Sequence, residues 1–305
     1  MDKTRIVIIC GPTAAGKSAI AAELASKFNA EIVSADSMQV YRQMDIGTAK
    51  PDASLRSVAV HHLIDIIDPD QDYSAALYMK DAIAAIEDIR SKGRNVIVAG
   101  GTGLYIKALT KGLFDAPPSD KAVRQRLQDE AEKTGLAGLY ERLKEADPES
   151  AAAIHPNNRA RIIRALEIYA TTGIAASKLR KEHGFAQVRF KSLKIGITRE
   201  RDELYRAIDE RVDAMMKDGL LQETERLISM GYPCTLKSMR ALGYKEICSF
   251  INGEYSLEEA VELIKKETRR YAKRQMTWFR ADAEINWFYP GDKSDIIRAV
   301  ENHLC

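Results

Sequence analysis

A chain of 305 residues, 45% hydrophobic and 30% charged, has the length for one large α/β core and a second, smaller domain. Its formal net charge of +2 excludes capture of nucleic acid by the field of the whole molecule, so an RNA partner would have to meet a local basic patch. No run approaches the ~18 apolar residues of a membrane span, the start lacks a signal-like apolar region, and Cys10, Cys234, Cys248 and Cys305 form no C-x-x-C pair, which argues against zinc and fits reduced thiols in a cytoplasmic protein.

In chain order, Arg5 to Cys10 predicts a strand and Ser18 to Phe28 a helix, followed by a strand at Glu31 to Ser34 and a polar loop. His62 to Ile67 predicts a further strand, Ser74 to Ser91 a helix closed by Gly93, and Asn95 to Ala99 another strand. This alternation implies a parallel sheet covered on both faces, with ligands at the carboxyl ends of the strands, where Ser18, Asp36 and Thr102 fall. The punctuation from Asp115 to Asp120 breaks the pattern, and residues up to about Phe185 read as helix rich in Arg, Lys, Glu and Ala. The expected division is a core of residues 1–116 and 190–305 around a mostly helical insertion of residues 117–189. Phe190 to Thr198 resumes the sheet, helices run to about Asp282, Ile285 to Tyr289 forms a short strand, and the tail from Ser294 a last helix.

The first strand runs straight into Gly11-Pro12-Thr13-Ala14-Ala15-Gly16-Lys17-Ser18, the G-x-x-x-x-G-K-S pattern of a phosphate loop, so the fold expected is a P-loop NTPase-like α/β sheet. Two glycines let the loop curl until successive backbone N–H groups converge on phosphate oxygens, at the positive end of the following helix. Lys17 supplies a mobile ammonium, and the Ser18 hydroxyl can meet a Mg²⁺ ion that neutralises the same phosphates.

In the loop from Ser34 to Pro51, Asp36 would lie near the phosphate loop if the two strands are neighbours, placed to take a proton from an attacking nucleophile; a turn or cap Asp is the plainer alternative. Gly100-Gly101-Thr102-Gly103 supplies a second backbone turn at the same sheet edge. Asp68-Pro69-Asp70-Gln71-Asp72 opens like a calcium loop, but Tyr73 and Met79 stand where Gly and Glu are needed, so these acids are expected to cap the next helix. Lys265 to Arg280 is basic with interleaved aromatics: Lys266, Arg270 and Arg274 share one helical face, Lys265, Arg269 and Lys273 another. Such a stripe suits an RNA backbone, the active-site phosphates or plain solvent. Arg159, Arg161 and Arg164 form a second cluster in the insertion. A small-molecule or nucleotide kinase stays open on these residues, although no strand ends in a Walker-B-type carboxylate, as does a nucleotide-gated RNA-binding protein.

With these pieces in order, the chain resembles the bacterial tRNA dimethylallyltransferases, or tRNA isopentenyltransferases, over nearly its full length. The resemblance rests on GPTAAGKS, SADSMQVYRQMDIGTAKP, HHLIDIIDP, GGTGLY, HPNNRARIIRALE, ALGYKE and TRRYAKRQMTWFR, all in the family's order. It implies transfer of a dimethylallyl group from dimethylallyl diphosphate to N6 of the adenosine just 3′ of the tRNA anticodon, with diphosphate released from the phosphate loop. It further implies Asp36 as general base, Thr102 holding the adenine amine and Arg211 helping to hold diphosphate. Asp36, Ser37, Met38, Gln39, Thr102 and Arg124 would meet tRNA, together with Ala160, Arg161, Ile162, Ile163 and Arg164. Mg²⁺ is the implied cofactor, the anticodon stem-loop the implied partner, and a monomer the implied state. Departures are small: Ala15, Met38, Gln43 and Asn158 stand where many relatives carry Ser, Arg, Gly and Asp.

Overall fold

Six strands line up side by side, all parallel, in the order β3-β2-β4-β1-β5-β6: β1 (Arg5–Cys10), β2 (Ala30–Ser34), β3 (His61–His62), β4 (Asn95–Ala99), β5 (Lys191–Ile197) and β6 (Ile285–Phe288). The structure is a computed structural model that describes residues 3–114, 117, 119–183 and 189–304. Of the boundary stretch that breaks the sequence pattern, Asp115, Ala116 and Pro118 lie outside the described residues.

The strands are apolar on both sides because both sheet faces are covered. Ile6, Ile8, Cys10, Val33, Val96 and Val98 point to one face and pack with α3 (Ala75–Ser91) and α4 (Gly103–Lys111). The alternate residues Val7, Ile9, Ile32, Ile97, Ile195 and Ile197 point to the other and pack with α1 (Lys17–Lys27) and the last helix.

The chain divides into two compact units, Met1–Thr110 with Arg189–Cys305, and Lys111–Val188. The first also contains α2 (Ala53–Val58). The second is built from α5 (Lys121–Thr134), α6 (Leu136–Ala146), α7 (Pro148–Ala153), α8 (Arg159–Thr172) and α9 (Ala176–His183) around Leu127, Leu139, Leu143, Ile162, Ile163 and Leu166. The returning core carries α10 (Arg201–Lys217), α11 (Leu220–Ser229), α12 (Tyr244–Ile251), α13 (Leu257–Arg280) and α14 (Lys293–Leu304). No described helix is long and apolar enough to cross a membrane.

Three local expectations are corrected. The strand expected at His62 to Ile67 stops at His62, because Leu63 and Asp65 take positive φ angles of 62° and 58° that no ladder accommodates, and Ile66 and Ile67 donate to the Val40 carbonyl instead. The cap of α3 is Ser74, whose hydroxyl accepts from Leu77 N at 3.2 Å, rather than the acids before it; Asp72 pairs with Lys237. Cys234 and Cys248 form a disulfide, with Cα atoms 5.9 Å apart. Their separation of 14 residues hides the pairing, since a 3₁₀ turn at Ser238–Arg240 and the start of α12 fold the chain back on itself. Cys10 is free and buried, and burial pushes its thiol up to about 12.

Candidate active site

The phosphate loop gets its shape from backbone that only certain residues tolerate. Gly11 sits at φ 133° against β5, where a Cβ would lie 2.2 Å from the Ile197 carbonyl oxygen, so no larger residue fits. Gly16 caps α1 at φ 99° without a side-chain hydrogen bond, which leaves the first-turn N–H groups of α1 facing outward. Lys17 reaches back so that its Nζ donates to the Pro12 carbonyl at 2.6 Å. Burial, and next the Arg211 guanidinium, lower the Lys17 ammonium to about 8, against an opposing pull from Asp36.

A second turn, after β4, is stitched to the end of β1 by Gly100 N donating to Ile9 O at 3.0 Å, and to the loop after β2 by Thr102 N donating to Ala35 O at 3.1 Å and Ala35 N to Ala99 O at 2.8 Å. Thr102 Oγ1 in turn accepts from Ser37 N at 3.0 Å. Asp36 uses one oxygen, Oδ1, to accept from Met38 N at 2.8 Å and Gln39 N at 3.4 Å, an Asx-type turn that aims the carboxylate. The condition that β1 and β2 be neighbours is not met, because β4 lies between them. Asp36 nevertheless shares a cavity with Lys17, because the loops lean together over the end of β4.

Gln275, on α13, joins the two turns. Its Oε1 accepts from Thr13 N at 2.9 Å, and its Nε2 donates to Gly101 O at 2.9 Å. A Cβ on Gly101 would stand 2.3 Å from that Nε2, so the glycine makes room for the amide. Nothing in a single sequence announces such a bridge, since its partners lie 262 and 174 residues away.

These elements enclose a cavity of about 380 Å³. Lys17, Arg211, Arg240 and Arg274 line it against a single carboxylate, Asp36. Arg211 has its pKa lowered by burial and partly restored by Asp36. One face of α13 grades the cavity: Gln275 and Arg274 at the phosphate-loop end, then Tyr271 and Thr268, then Ile264, about 16 Å away at 1.5 Å per residue. Val212, Met215 and Leu242 add apolar wall. The cavity thus combines an excess of cations with apolar wall.

Of the residues singled out from sequence, Thr13, Lys17, Ser18, Asp36, Ser37, Met38, Gln39 and Arg211 line the cavity, while Thr102 supports it through Ser37. Gly11, Pro12, Ala14, Ala15 and Gly16 shape the loop without lining it. The basic stretch of α13 is divided: Arg274 enters the cavity, whereas Lys265 pairs with Asp213 at 2.7 Å and Arg269 with Asp209, both on α10. Arg240, Tyr271, Gln275 and the apolar wall are not named from sequence as pocket residues; the density of cations in TRRYAKRQMTWFR points only to the stretch that holds Tyr271 and Gln275.

In the helical unit, Arg124 and Arg164 converge on Glu167 of α8. This buried carboxylate accepts from Ser119 Oγ and Asp120 N at 2.8 Å, and pairs with Arg124 at 2.8 Å and Arg164 at 3.2 Å. Burial pushes the Glu167 carboxyl up, but bonds from Ser119, Arg124 and Arg164 outweigh it and hold the group below its ordinary value. Ala160 and Arg161 are exposed, whereas Ile162 and Ile163 turn into the apolar centre of the unit. Helical periodicity makes that split inevitable in a run of five residues.

Comparison with known proteins adds to this geometry. A family model described as IPP transferase matches residues 39–282. The tRNA dimethylallyltransferase 2 of Geotalea uraniireducens is 55% identical over 300 residues, covering 98% of this chain and 97% of that one. The tRNA dimethylallyltransferase of Geobacter metallireducens is 52% identical with the same coverage. Among solved structures, the full-length tRNA isopentenylpyrophosphate transferase of Bacillus halodurans superposes with a TM-score of 0.73 at 39% identity, covering 99% of this chain and 97% of that one. A eukaryotic dimethylallyltransferase studied acting on tRNA superposes at 0.77 with 32% identity, covering 90% of this chain and 69% of that one.

Proposed function

This chain belongs to the IPP transferase family, and from that premise we propose that it moves the dimethylallyl group of dimethylallyl diphosphate onto N6 of the adenosine just 3′ of a tRNA anticodon, working as a cytoplasmic monomer. The membership leaves the kinase alternative unfavoured. The observation that carries the reading is the lining of the cavity: Lys17, Arg211, Arg240 and Arg274 with one carboxylate, Asp36, among the described residues, and apolar wall from Val212, Met215, Leu242 and Ile264. A diphosphate head with a short hydrocarbon tail matches that combination of environments.

In the reaction the N6–C1 bond forms as the C1–O bond to diphosphate breaks, and the amine proton leaves. An exocyclic aromatic amine is a poor nucleophile, so alignment and proton removal both count. Oδ1 of Asp36 is engaged with the backbone, which leaves Oδ2 to accept that proton. The family resemblance gives Thr102, tied to Ser37 beside the cavity, the role of holding the amine. Negative charge grows on the departing diphosphate, where the loop amides, Arg211 and Lys17, once it leaves the Pro12 carbonyl, would meet it, so their stabilisation increases toward the transition state.

No cluster of three or more His, Cys, Asp or Glu disposed to hold a metal occurs among the described residues. Ser18, which lines the cavity, offers a hydroxyl to a hard cation whose other ligands would be substrate oxygens and water. Mg²⁺ held there would supply charge neutralisation of the leaving group. The tRNA would be gripped by the basic helices, Arg124, Arg161 and Arg164 among them, and the target base splayed out of its single-stranded loop.

The test is mass spectrometry of nucleosides from unmodified tRNA incubated with the protein, Mg²⁺ and dimethylallyl diphosphate, beside a parallel arm with ATP and candidate phosphoryl acceptors. A dimethylallyl-adenosine product in the first arm alone is the expected result; phosphorylated product in the second overturns the reading.

A further inference from the structure

Glu223, in the first turn of α11, takes no part in the chemistry above, yet it is the most heavily hydrogen-bonded carboxylate near the cavity. It is 5% exposed. Its oxygens accept from three successive backbone N–H groups, those of Asp45 at 2.9 Å, Ile46 at 2.9 Å and Gly47 at 3.1 Å, and from the Tyr244 hydroxyl at 2.6 Å. No Lys, Arg or His pairs with it among the described residues. A carboxylate this deeply buried without a cation is costly unless it fixes something, and what it fixes is a concave turn of backbone wrapped around an anion.

That turn is one wall of the cavity, since Gly47, Thr48 and Ala49 all line it. Tyr244 braces the turn from behind: a Cβ on Gly47 would lie 2.5 Å from its ring, so phenol and glycine are in direct contact. Burial and the Glu223 carboxylate both hold the proton on the Tyr244 hydroxyl, which keeps it a donor. From the turn, contacts run on to the base. Gln39 Nε2 donates to Ala49 O at 3.2 Å, Gln39 Oε1 accepts from Ser34 Oγ at 3.1 Å, and Gln39 N donates to Asp36 Oδ1.

We propose that Glu223, seconded by Tyr244, is a positioning residue for proton removal, holding the 45–49 turn so that Gln39 fixes the direction in which Asp36 presents its free oxygen. This rests on the reading of Asp36 as the base. Among the described residues no hydrogen bond joins Glu223 to the phosphate loop, so the donor site is expected to be indifferent to it.

The test measures single-turnover rates at saturating tRNA and dimethylallyl diphosphate for the full chain and for Glu223→Gln, Tyr244→Phe and Asp36→Ala, with the KM of the donor for each. Glu223→Gln keeps the size of the side chain but puts an N–H among N–H donors. It is expected to slow the chemical step about tenfold to a hundredfold, with donor KM within about twofold of the parent. Tyr244→Phe, which removes one donor and no volume in the turn, should show a smaller fall in the same direction, and decides the matter if Glu223→Gln does not fold. A rise in donor KM with an unchanged rate, or rates within about twofold for both variants, overturns the proposal. Parental turnover by Asp36→Ala instead overturns the assignment of the base, and so separates the two failures.

Discussion

The phosphate loop and the loop after β2 face one cavity but are shaped from different distances. Residues 11–18 carry most of their own instructions: two glycines with positive φ, a helix start, and a lysine folded back onto Pro12 five residues away, with Gln275 bracing Thr13 N from 262 residues away. Residues 36–50 are shaped largely by side chains elsewhere, with Thr102 holding Ser37 from 65 residues away and Glu223 holding Ile46 from 177. Within the second loop, Lys50 adds a buried knot to the Tyr41 carbonyl, Asp45 and Asp65. A locally encoded loop can be moved between folds and recognised by spacing; a remotely braced one works only inside its own scaffold. On the proposed roles, leaving-group binding falls to the portable part and proton removal to the part that depends on the whole core.

Substitutions can break that contrast or sharpen it. The largest effect is expected from Asp36→Ala, which should lower kcat by about 10²–10⁴ in single-turnover assays while the protein still binds tRNA. Lys17→Ala should cost about 10²–10³ in kcat/KM for the donor, with tRNA affinity measured by filter binding kept; equal loss of both would erase the division of labour between the loops. Gln275→Ala leaves Thr13 N and Gly101 O without partners in a buried setting, a loss of about 1–3 kcal/mol per group, visible as a raised donor KM and a lower melting temperature.

A subtler test uses pH. Lys17 in the ligand-free protein gives up its proton near pH 8, so donor affinity should be full below that value and fall about tenfold by pH ~9, measured by titration calorimetry. Stability moves the other way. Between about 8 and the ordinary value of 10.5 the unfolded lysine holds a proton that the folded one has lost, so the ligand-free fold should gain stability as pH rises through that window. A donor affinity flat from pH 7 to 9 would show that Lys17 stays charged and that burial is offset by more than Asp36.

Sequence made some of this legible and hid the rest for physical reasons. The parallel sheet follows from apolar runs such as Ile6 to Cys10 and Asn95 to Ala99 alternating with helical periods, and the phosphate loop from fixed glycine spacing. The third strand was overread because Leu63 and Asp65 adopt positive φ under tertiary constraint, which local propensity does not register. Glu223 and Gln275 escaped because a lone Glu or Gln on a helix is indistinguishable from a solvated one until the fold brings it to bare backbone. The Cys234–Cys248 bond escaped for the same reason: proximity there is made by a turn, and the spacing alone carried no signal.

One feature of α13 reaches furthest. A single carboxamide spans from the cradle of β1 to the turn of β4, giving to one and taking from the other, so the helix cannot slide along its axis without dragging both. The spacing between the two turns is therefore gauged by a rigid rod rather than by two independent flaps. A carboxylate in its place would keep the half that accepts and forfeit the half that gives, and the gauge would lose its second mark.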